Sequence, residues 1–123
     1  MTALPFRCLV TVSTSTPPSP AVDALTDAFQ EVVRESSAKS AMERVLTWRP
    51  HVVVVHDGFA DAETANFVRR VRGISPALML VISESSTLPH RVALIEAGAD
   101  DVQPADIAVE ELLARVRRAL SRR

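Results

Sequence analysis

Residues 50–58 read Pro-His-Val-Val-Val-Val-His-Asp-Gly, and they decide the fold class of this chain. The four valines are β-branched, which favours extended backbone, and the run is too short for a helix. Because apolar and polar residues do not alternate in it, the run predicts a strand covered on both faces, as in a parallel sheet between two layers of helices. Ligands bind such sheets at the carboxyl ends of the strands, so His56, Asp57 and Gly58 lie where a functional site is expected.

The composition indicates one globular domain that spans residues 1–123. Hydrophobic residues make up 47% and charged residues 24% of the chain, and the formal net charge of −1 provides no positive field for nucleic acid. No apolar run is long enough to cross a membrane, and residues 1–7 lack the pattern of a signal peptide. The single cysteine, Cys8, cannot form an internal disulfide, so we expect a reduced, cytoplasmic setting and no membrane contact.

Predicted strands and helices alternate five times along the chain. The strands cover residues 6–12, 30–35, 52–55, 76–83 and 101–103. The first helix begins at Pro20 after Ser19 as N-cap, and the others cover residues 39–48, 61–72, 88–97 and 109–122. Phe29 is assigned to the buried stripe of the first helix and Leu46 to that of the second, while Gly73 and Gly98 are expected to end the third and fourth. This order predicts a three-layer, doubly wound α/β domain.

Three segments carry a resemblance to a known family: Pro50–Val55, Glu96–Asp101 and Glu110–Arg117. Through them the chain resembles the receiver domains of two-component response regulators over essentially its full length, and most of all those of the OmpR-type transcription factors. The resemblance implies a flavodoxin-like (βα)5 fold with a five-stranded parallel sheet of order 2-1-3-4-5. It also implies that these residues are the N-terminal part of a longer regulator, which would contact DNA only through an output domain absent from this chain.

The resemblance also shows where a phosphorylation site would lie. In a working receiver, an aspartate ending the third strand accepts a phosphoryl group, and carboxylates after the first strand hold the Mg²⁺ that offsets its charge. By position, the place of the aspartate falls on His56 and the places of the acidic pair fall on Val12 and Ser13. The place of the essential lysine falls on Ala105, and only Ser83 keeps the family's residue type.

These replacements predict a receiver that does not transfer phosphate. The proline after the lysine is replaced by Asp106, and the aromatic residue that couples phosphorylation to dimerisation is replaced by Val102. We therefore expect no catalytic residue, no cofactor and no metal, and no enzymatic activity. His51 at the other end of the strand and His90, assigned to a separate loop, are not expected to join His56 in a ligand set.

Two residues leave alternatives open at this place. Asp57 follows the expected acceptor by one residue, and because neighbouring side chains of a strand point to opposite faces, its carboxylate should be aimed elsewhere. His56 is expected to fill the vacated pocket and to form hydrogen bonds with Ser13, Ser83 or the backbone. The alternative is a histidine that responds to pH or contacts a ligand.

The surface for dimerisation is retained. In OmpR-type receivers, helix 4, strand 5 and helix 5 form a two-fold interface, and here the resemblance assigns to it Arg91, Val92, Ile95, Asp100, Asp101, Glu111, Leu113, Arg115 and Arg118. Arg91 would pair with Glu111 of a second copy and Asp101 with Arg115, twice by symmetry. The alternative is a solvated helix face whose terminal arginines are favoured by the helix dipole.

The sequence therefore predicts a phosphorylation-independent receiver domain that homodimerises through helix 4, strand 5 and helix 5. Two alternatives remain from other classes. One is a sensor that binds a small molecule near His56 and Ser83, and the other is a stand-alone adaptor that binds a protein partner through helices 4 and 5.

Overall fold

The computed structural model describes residues 3–12, 17, 19–85 and 87–122, and over these residues strands and helices alternate. The elements are β1 (Leu4–Thr11), α1 (Pro20–Asp27), β2 (Phe29–Glu35), α2 (Ala38–Trp48), β3 (Val52–His56), α3 (Thr64–Ile74), β4 (Leu78–Ser83), α4 (Leu88–Ala97), β5 (Asp101–Pro104) and α5 (Val109–Ser121). The five strands are parallel, in the order β2-β1-β3-β4-β5. The predicted fold class and strand order are confirmed.

The valine run forms the centre of the sheet. Val52 to Val55 are completely buried, as the absence of polar residues in the run predicted. Val53 and Val55 face the core that α2, α3 and α4 cover, and Val52 and Val54 face the core under α1 and α5. The two faces of β3 therefore belong to different layers, which determines where the side chains after Val55 can point.

Two helix boundaries follow the predicted local chemistry. Ser19 caps α1, because its Oγ accepts a hydrogen bond of 3.2 Å from the N–H of Val22. Gly98 follows the last residue of α4 with φ +124°, and a Cβ there would lie 2.8 Å from Cβ of Arg72. The Arg72 guanidinium uses this close approach to donate to the Gly98 carbonyl, at 2.9 and 3.0 Å.

Three details of the predicted elements were wrong. Phe29 belongs to β2 and not to the stripe of α1, which ends at Asp27. Leu46 is 57% exposed, because α2 turns that side away from the core that its alanines contact. Gly73 lies inside α3, which ends one residue later at Ile74.

The start of α3 was also predicted too early, and the reason lies in Asp61. Its carboxylate accepts hydrogen bonds from the N–H groups of Ala38 (2.8 Å) and Lys39 (3.1 Å), the first residues of α2. These backbone hydrogen bonds, first from Ala38 and then from Lys39, lower the pKa of Asp61. The acidic residue therefore stabilises the neighbouring helix N-terminus, and α3 begins three residues later at Thr64.

Cys8 is completely buried in β1. Burial raises the pKa of its thiol to about 12, with a smaller opposing effect from the charge of Arg34. The thiolate, which is the reactive form of cysteine, is thus not populated at neutral pH. Among the described residues, no helix is long and apolar enough to cross a membrane.

Candidate functional site

The end of β3 presents two consecutive polar side chains to opposite faces of the sheet. His56 pairs in register with Ile82 of β4, which belongs to the core under α1 and α5. Asp57 follows, and its N–H donates to the Ile82 carbonyl at 2.9 Å. Its side chain lies on the other face, where α3 and α4 begin. This separation is the one that strand alternation predicted.

Asp57 is the centre of a hydrogen-bonded group with Thr64, Ser83 and His90, which we call the Asp57 cluster. Oδ1 of Asp57 accepts from Thr64 Oγ1 at 2.5 Å, and Oδ2 accepts from Ser83 Oγ at 2.9 Å. His90 Nε2 lies 2.6 Å from the same Oδ2. The cluster joins the end of β3 to the first residue of α3, the last residue of β4 and the first turn of α4.

The electrostatics of the cluster favour an ionised carboxylate. Burial alone raises the pKa of Asp57, but hydrogen bonds from Thr64, His90 and Ser83, together with the charge of His90, outweigh it and lower the pKa below its ordinary value. Asp57 is therefore charged at neutral pH, and both of its oxygens already accept hydrogen bonds. Attack on a phosphoryl donor would require these bonds to break, with no second carboxylate in the cluster to hold a metal.

His56 occupies a different environment. The residue is 4% exposed, and its backbone N–H donates to Thr11 Oγ1 at 3.0 Å. Neither ring nitrogen has a hydrogen-bond partner among the described residues. The expected bond to Ser83 was wrong, because Ser83 lies on the opposite face and donates to Asp57. The other expected partner, Ser13, lies outside the described residues.

Three of the remaining positions carried over from the family are apolar. Val12 and Ala105 pack against the same core that Ile82 belongs to. Ala105 also donates its N–H to the Ser83 carbonyl at 3.2 Å, so it adjoins Ser83 through the backbone alone. Val102 is 5% exposed and belongs to the opposite core. On the His56 side of the sheet, the described family positions Val12 and Ala105 thus carry hydrocarbon side chains.

The placement of His90 in a loop was wrong. His90 lies in α4 and not in a loop, and it does meet an acidic side chain at the end of β3. Within the described part of the chain, no three His, Cys, Asp or Glu side chains converge as metal ligands. Thr64 and His90 were missed as partners of Asp57. The fold class brings strand ends and the first turns of the following helices to one edge of the sheet, but it does not specify which side chains meet there.

The expected ligand site would require one cavity lined by both His56 and Ser83. The cavity that Ser83 lines has a volume of about 130 Å³ and lies between α4 and β5, beside Arg91, Val102 and Gln103. His56 does not line it. The five residues expected in one pocket therefore separate: Asp57 and Ser83 lie on one face, His56 and Ala105 on the other, and Ser13 is outside the described residues.

The face of α4, β5 and α5 exposes apolar side chains beside charged ones. On α4, Leu88 is 68%, Val92 40% and Ile95 53% exposed, and Arg91 is exposed between them. On α5, Glu111 and Arg118 are exposed, whereas Leu113 is half-buried against the core. The composition of this face fits the expected dimer surface.

Several charged residues of this face already have partners in their own chain. Arg115 Nε donates to Glu111 at 2.9 Å, and Arg115 Nη1 lies 3.8 Å from Asp101. Asp100 accepts from Arg72 at 2.7 Å and from the Met79 N–H at 2.8 Å. Asp100 therefore supports the β4–β5 edge of the sheet from within, a role that the sequence did not suggest.

Comparison with known proteins gives a consistent result. No protein-family model matches the chain. The response regulator MprA of Mycobacterium tuberculosis (strain H37Rv) is 35% identical over 83 residues, which is 67% of this chain and 36% of the relative. The KDP operon transcriptional regulatory protein KdpE of Escherichia coli K12 is 28% identical over 99 residues, 80% of this chain and 44% of KdpE. The chain thus spans less than half the length of these relatives.

Solved structures share the fold at low sequence identity. A CheY-like response regulator receiver domain from Methanospirillum hungatei superposes with a TM-score of 0.84 at 15% identity, covering 97% of this chain and 96% of the other. The signal receiver domain of the response regulator NarL from M. tuberculosis gives a TM-score of 0.78 at 19% identity, with 97% and 98% covered.

Proposed function

The chain is a receiver domain of the OmpR-like response regulators, and we propose that it works without being phosphorylated. In this proposal the domain homodimerises through α4, β5 and α5, and so positions the output domain of a transcription regulator. The relatives MprA and KdpE are named as a response regulator and a transcriptional regulatory protein, and both are more than twice as long as the segments they share with this chain.

One observation carries the proposal: the only carboxylate at the end of β3 belongs to Asp57, and it faces away from His56. Asp57 is held by Thr64, Ser83 and His90 on the α3 and α4 side. The other side contains His56, and the family positions Val12 and Ala105 pack against the core on that side. Transfer of a phosphoryl group would lack both the metal ligands and the cationic side chain that offset its charge.

The dimer surface in this proposal derives its affinity mainly from apolar contact. Leu88, Val92 and Ile95 expose apolar area on α4 that a second copy would bury. The ion pairs add less, because exposed pairs contribute only about 0–1 kcal/mol each. To pair with Asp101 of the second copy, Arg115 must moreover give up its own-chain partners Glu111 and Asp101. We therefore expect the apolar centre to determine whether the dimer forms.

The first test measures phosphorylation and assembly together. The protein is incubated with acetyl phosphate and Mg²⁺, its intact mass is recorded, and its molar mass in solution is measured by light scattering before and after. We expect no mass gain and a dimer under both conditions. A stoichiometric gain of one phosphoryl group that maps to Asp57, with dimerisation only after it, would contradict the proposal.

The second test changes the apolar centre of the surface. Ile95→Asp places a charge at a residue that is 53% exposed, so the monomer should fold normally and the dimer should weaken at least tenfold. Ile74→Asp is the matched control, because Ile74 is equally exposed at the end of α3, away from this surface. An unchanged oligomeric state in Ile95→Asp would show that the copies meet elsewhere or not at all.

Leu113 is a poorer choice for this test than the sequence suggested. It packs partly against the core under α5, so Leu113→Asp would also destabilise the monomer. The stand-alone adaptor would use the same surface for a different protein, and the light-scattering measurement separates the two functions. An adaptor of this kind is monomeric at every concentration, whereas the proposed regulator is a dimer.

A further inference from the structure

A groove lies at the amino ends of the strands, on the edge of the sheet opposite the Asp57 cluster. It has a volume of about 610 Å³ and is bounded by the start of β1, the end of α2, the entry to β3, and the connection from α3 to β4. This volume falls within the range of small-molecule sites, about 300–1,000 Å³. We call it the amino-end groove. Nothing in the proposed receiver function uses it.

The charges that line the amino-end groove are all positive or neutral. Arg7, Arg49 and His51 line it, and none of its lining residues is an aspartate or a glutamate. Neither arginine has a carboxylate partner among the described residues. Two guanidinium groups at one opening, without an acid to neutralise them, form an environment that attracts an anion.

The orientation of these cations is set by hydrogen bonds. Arg7 Nε donates to the Trp48 carbonyl at 3.0 Å, and Arg7 Nη2 donates to the Arg49 carbonyl at 2.8 Å. These bonds supply donors to backbone carbonyls at the end of α2. Nη1 of Arg7 remains as a further donor. His51 Nδ1 accepts from the Arg7 backbone N–H at 2.9 Å. A neutral His51 ring therefore carries its proton on Nε2, where it is also a donor.

The backbone at Arg49 is unusual in a way that supports a ligand role. Arg49 follows α2 with φ +53° and ψ +65°, and it is the only non-glycine residue with positive φ in the described part of the chain. Glycine or asparagine normally occupies this position, because a side chain is disfavoured there. An arginine kept in a disfavoured conformation at the mouth of a groove suggests that its side chain is needed.

The rest of the groove is apolar. Leu46 is 57% and Ile74 53% exposed, although both are large hydrophobic residues, and they line the groove with Phe6. Phe6 also contacts the edge of the His51 ring, with 5.4 Å between ring centroids. The groove therefore combines an apolar wall with hydrogen-bond donors and positive charge at one side.

We propose that the amino-end groove binds an amphipathic carboxylate, a small molecule with one acidic group and an aliphatic or aromatic body. The carboxylate contacts the Arg49 guanidinium and the free donors of Arg7 and His51. The apolar body lies against Leu46 and Ile74 and removes their exposed surface from water. The lining accounts for both the carboxylate and the apolar body of the ligand. A small anion alone would leave the apolar wall exposed to water. A hydrocarbon alone would leave the arginines without an anionic partner.

The test titrates octanoate into the protein and uses octan-1-ol as the uncharged ligand of equal chain length. Trp48 is the only tryptophan, it ends α2 beside the groove, and Arg7 lies 6.0 Å from the centroid of its ring, so its fluorescence reports binding. Backbone amide chemical shifts locate the ligand. We expect saturable binding of octanoate, at least tenfold tighter than that of octan-1-ol, with shifts at His51, Ser75 and Ala77.

Variants separate the contributions of charge and apolar surface. Arg49→Gln should weaken octanoate binding about tenfold and leave octan-1-ol unaffected, while Arg49→Lys should recover part of the loss. Ile74→Ser should weaken both ligands. Arg69→Gln is the matched control, because Arg69 is an exposed arginine of α3 that does not line the groove. No saturation by octanoate, equal affinity for octan-1-ol, or unchanged binding in Arg49→Gln would each overturn the proposal.

Discussion

His56 is a polar side chain that the fold buries without a hydrogen-bond partner for its ring nitrogens among the described residues. An unpaired buried polar group costs about 1–3 kcal/mol, so replacing it by an apolar side chain should stabilise the protein. We expect His56→Leu to raise the free energy of unfolding by about 1 kcal/mol, measured by urea denaturation. His56→Gln is the control, since it keeps an unpaired polar group and should give no gain. A loss of stability in His56→Leu would mean that the ring forms hydrogen bonds.

Asp57 has the opposite character, because its charge is stabilised by its neighbours. We expect Asp57→Asn to lower the free energy of unfolding by about 2 kcal/mol at pH 7, since hydrogen bonds to a charged group are worth about 1.5–3 kcal/mol. Asp106→Asn is the control, because it removes a charge from an exposed turn and should change the free energy of unfolding little. An equal effect of the two substitutions would show that the Asp57 cluster does not hold the fold together.

The stabilisation by Asp57 should decrease at low pH. The pKa of Asp57 is lower in the folded chain than in the unfolded chain, so the folded state binds fewer protons. The contribution of the Asp57 carboxylate to stability is complete at pH values above the pKa of the unfolded chain, about 4. It is lost as the pH falls through the lower pKa of the folded chain. The stability difference between the native protein and Asp57→Asn should therefore shrink in urea titrations below about pH 4. A difference that stays constant down to pH 2 would contradict this explanation.

At the scale of elements, Gly73 inside α3 and Gly98 after α4 should respond oppositely to substitution by alanine. A Cβ at Gly98 would lie 2.8 Å from Cβ and Cγ of Arg72, at φ +124°, so Gly98→Ala should cost about 1–3 kcal/mol. Gly73 lies in α3 with no atom within 4 Å of the position of a new Cβ, so Gly73→Ala should stabilise by about 0.5–1 kcal/mol. Thermal unfolding of both variants measures this contrast, and a change of the same sign in both would refute it.

The elements were predictable where one local signal dominated. The valine run, Ser19 as N-cap and Gly98 after α4 each fix a boundary through their own chemistry, and the structure follows them. The predictions for Leu46, Gly73 and Asp61 were wrong, and for Asp61 a tertiary contact explains the difference. The Asp61 carboxylate accepts hydrogen bonds from the first two residues of α2, which lie 23 and 22 residues earlier in the chain.

The candidate site was predictable in part for the same reason. Strand alternation correctly separates His56 from Asp57, because it depends only on the geometry of one strand. The partners of Asp57 depend on how the first turns of α3 and α4 approach the sheet, and no local pattern specifies that approach. The amino-end groove likewise depends on residues from four distant segments, Arg7 and Ile74 among them.

For the whole molecule, the proposed dimer has a predictable dependence on salt. Ion pairs of Arg115 and its neighbours are exposed, and screening shortens the range of such interactions from about 10 Å at 0.1 M to about 3 Å at 1 M salt. The apolar contact of Ile95 is not screened. We therefore expect high salt to weaken the dimer less than Ile95→Asp does, measured by sedimentation equilibrium. Complete dissociation at 1 M salt would show that charge, and not apolar area, holds the copies together.

The burial of Cys8 has a practical consequence for such measurements. Its thiol is inaccessible and stays protonated at neutral pH, so maleimide and methanethiosulfonate reagents should leave the native chain untouched. A single cysteine introduced at an exposed position of α4, such as Ala93, would then take up a spin label selectively without removal of the natural residue. Pulsed electron resonance on that variant would give the spacing between two copies directly, because every observed distance must join different chains.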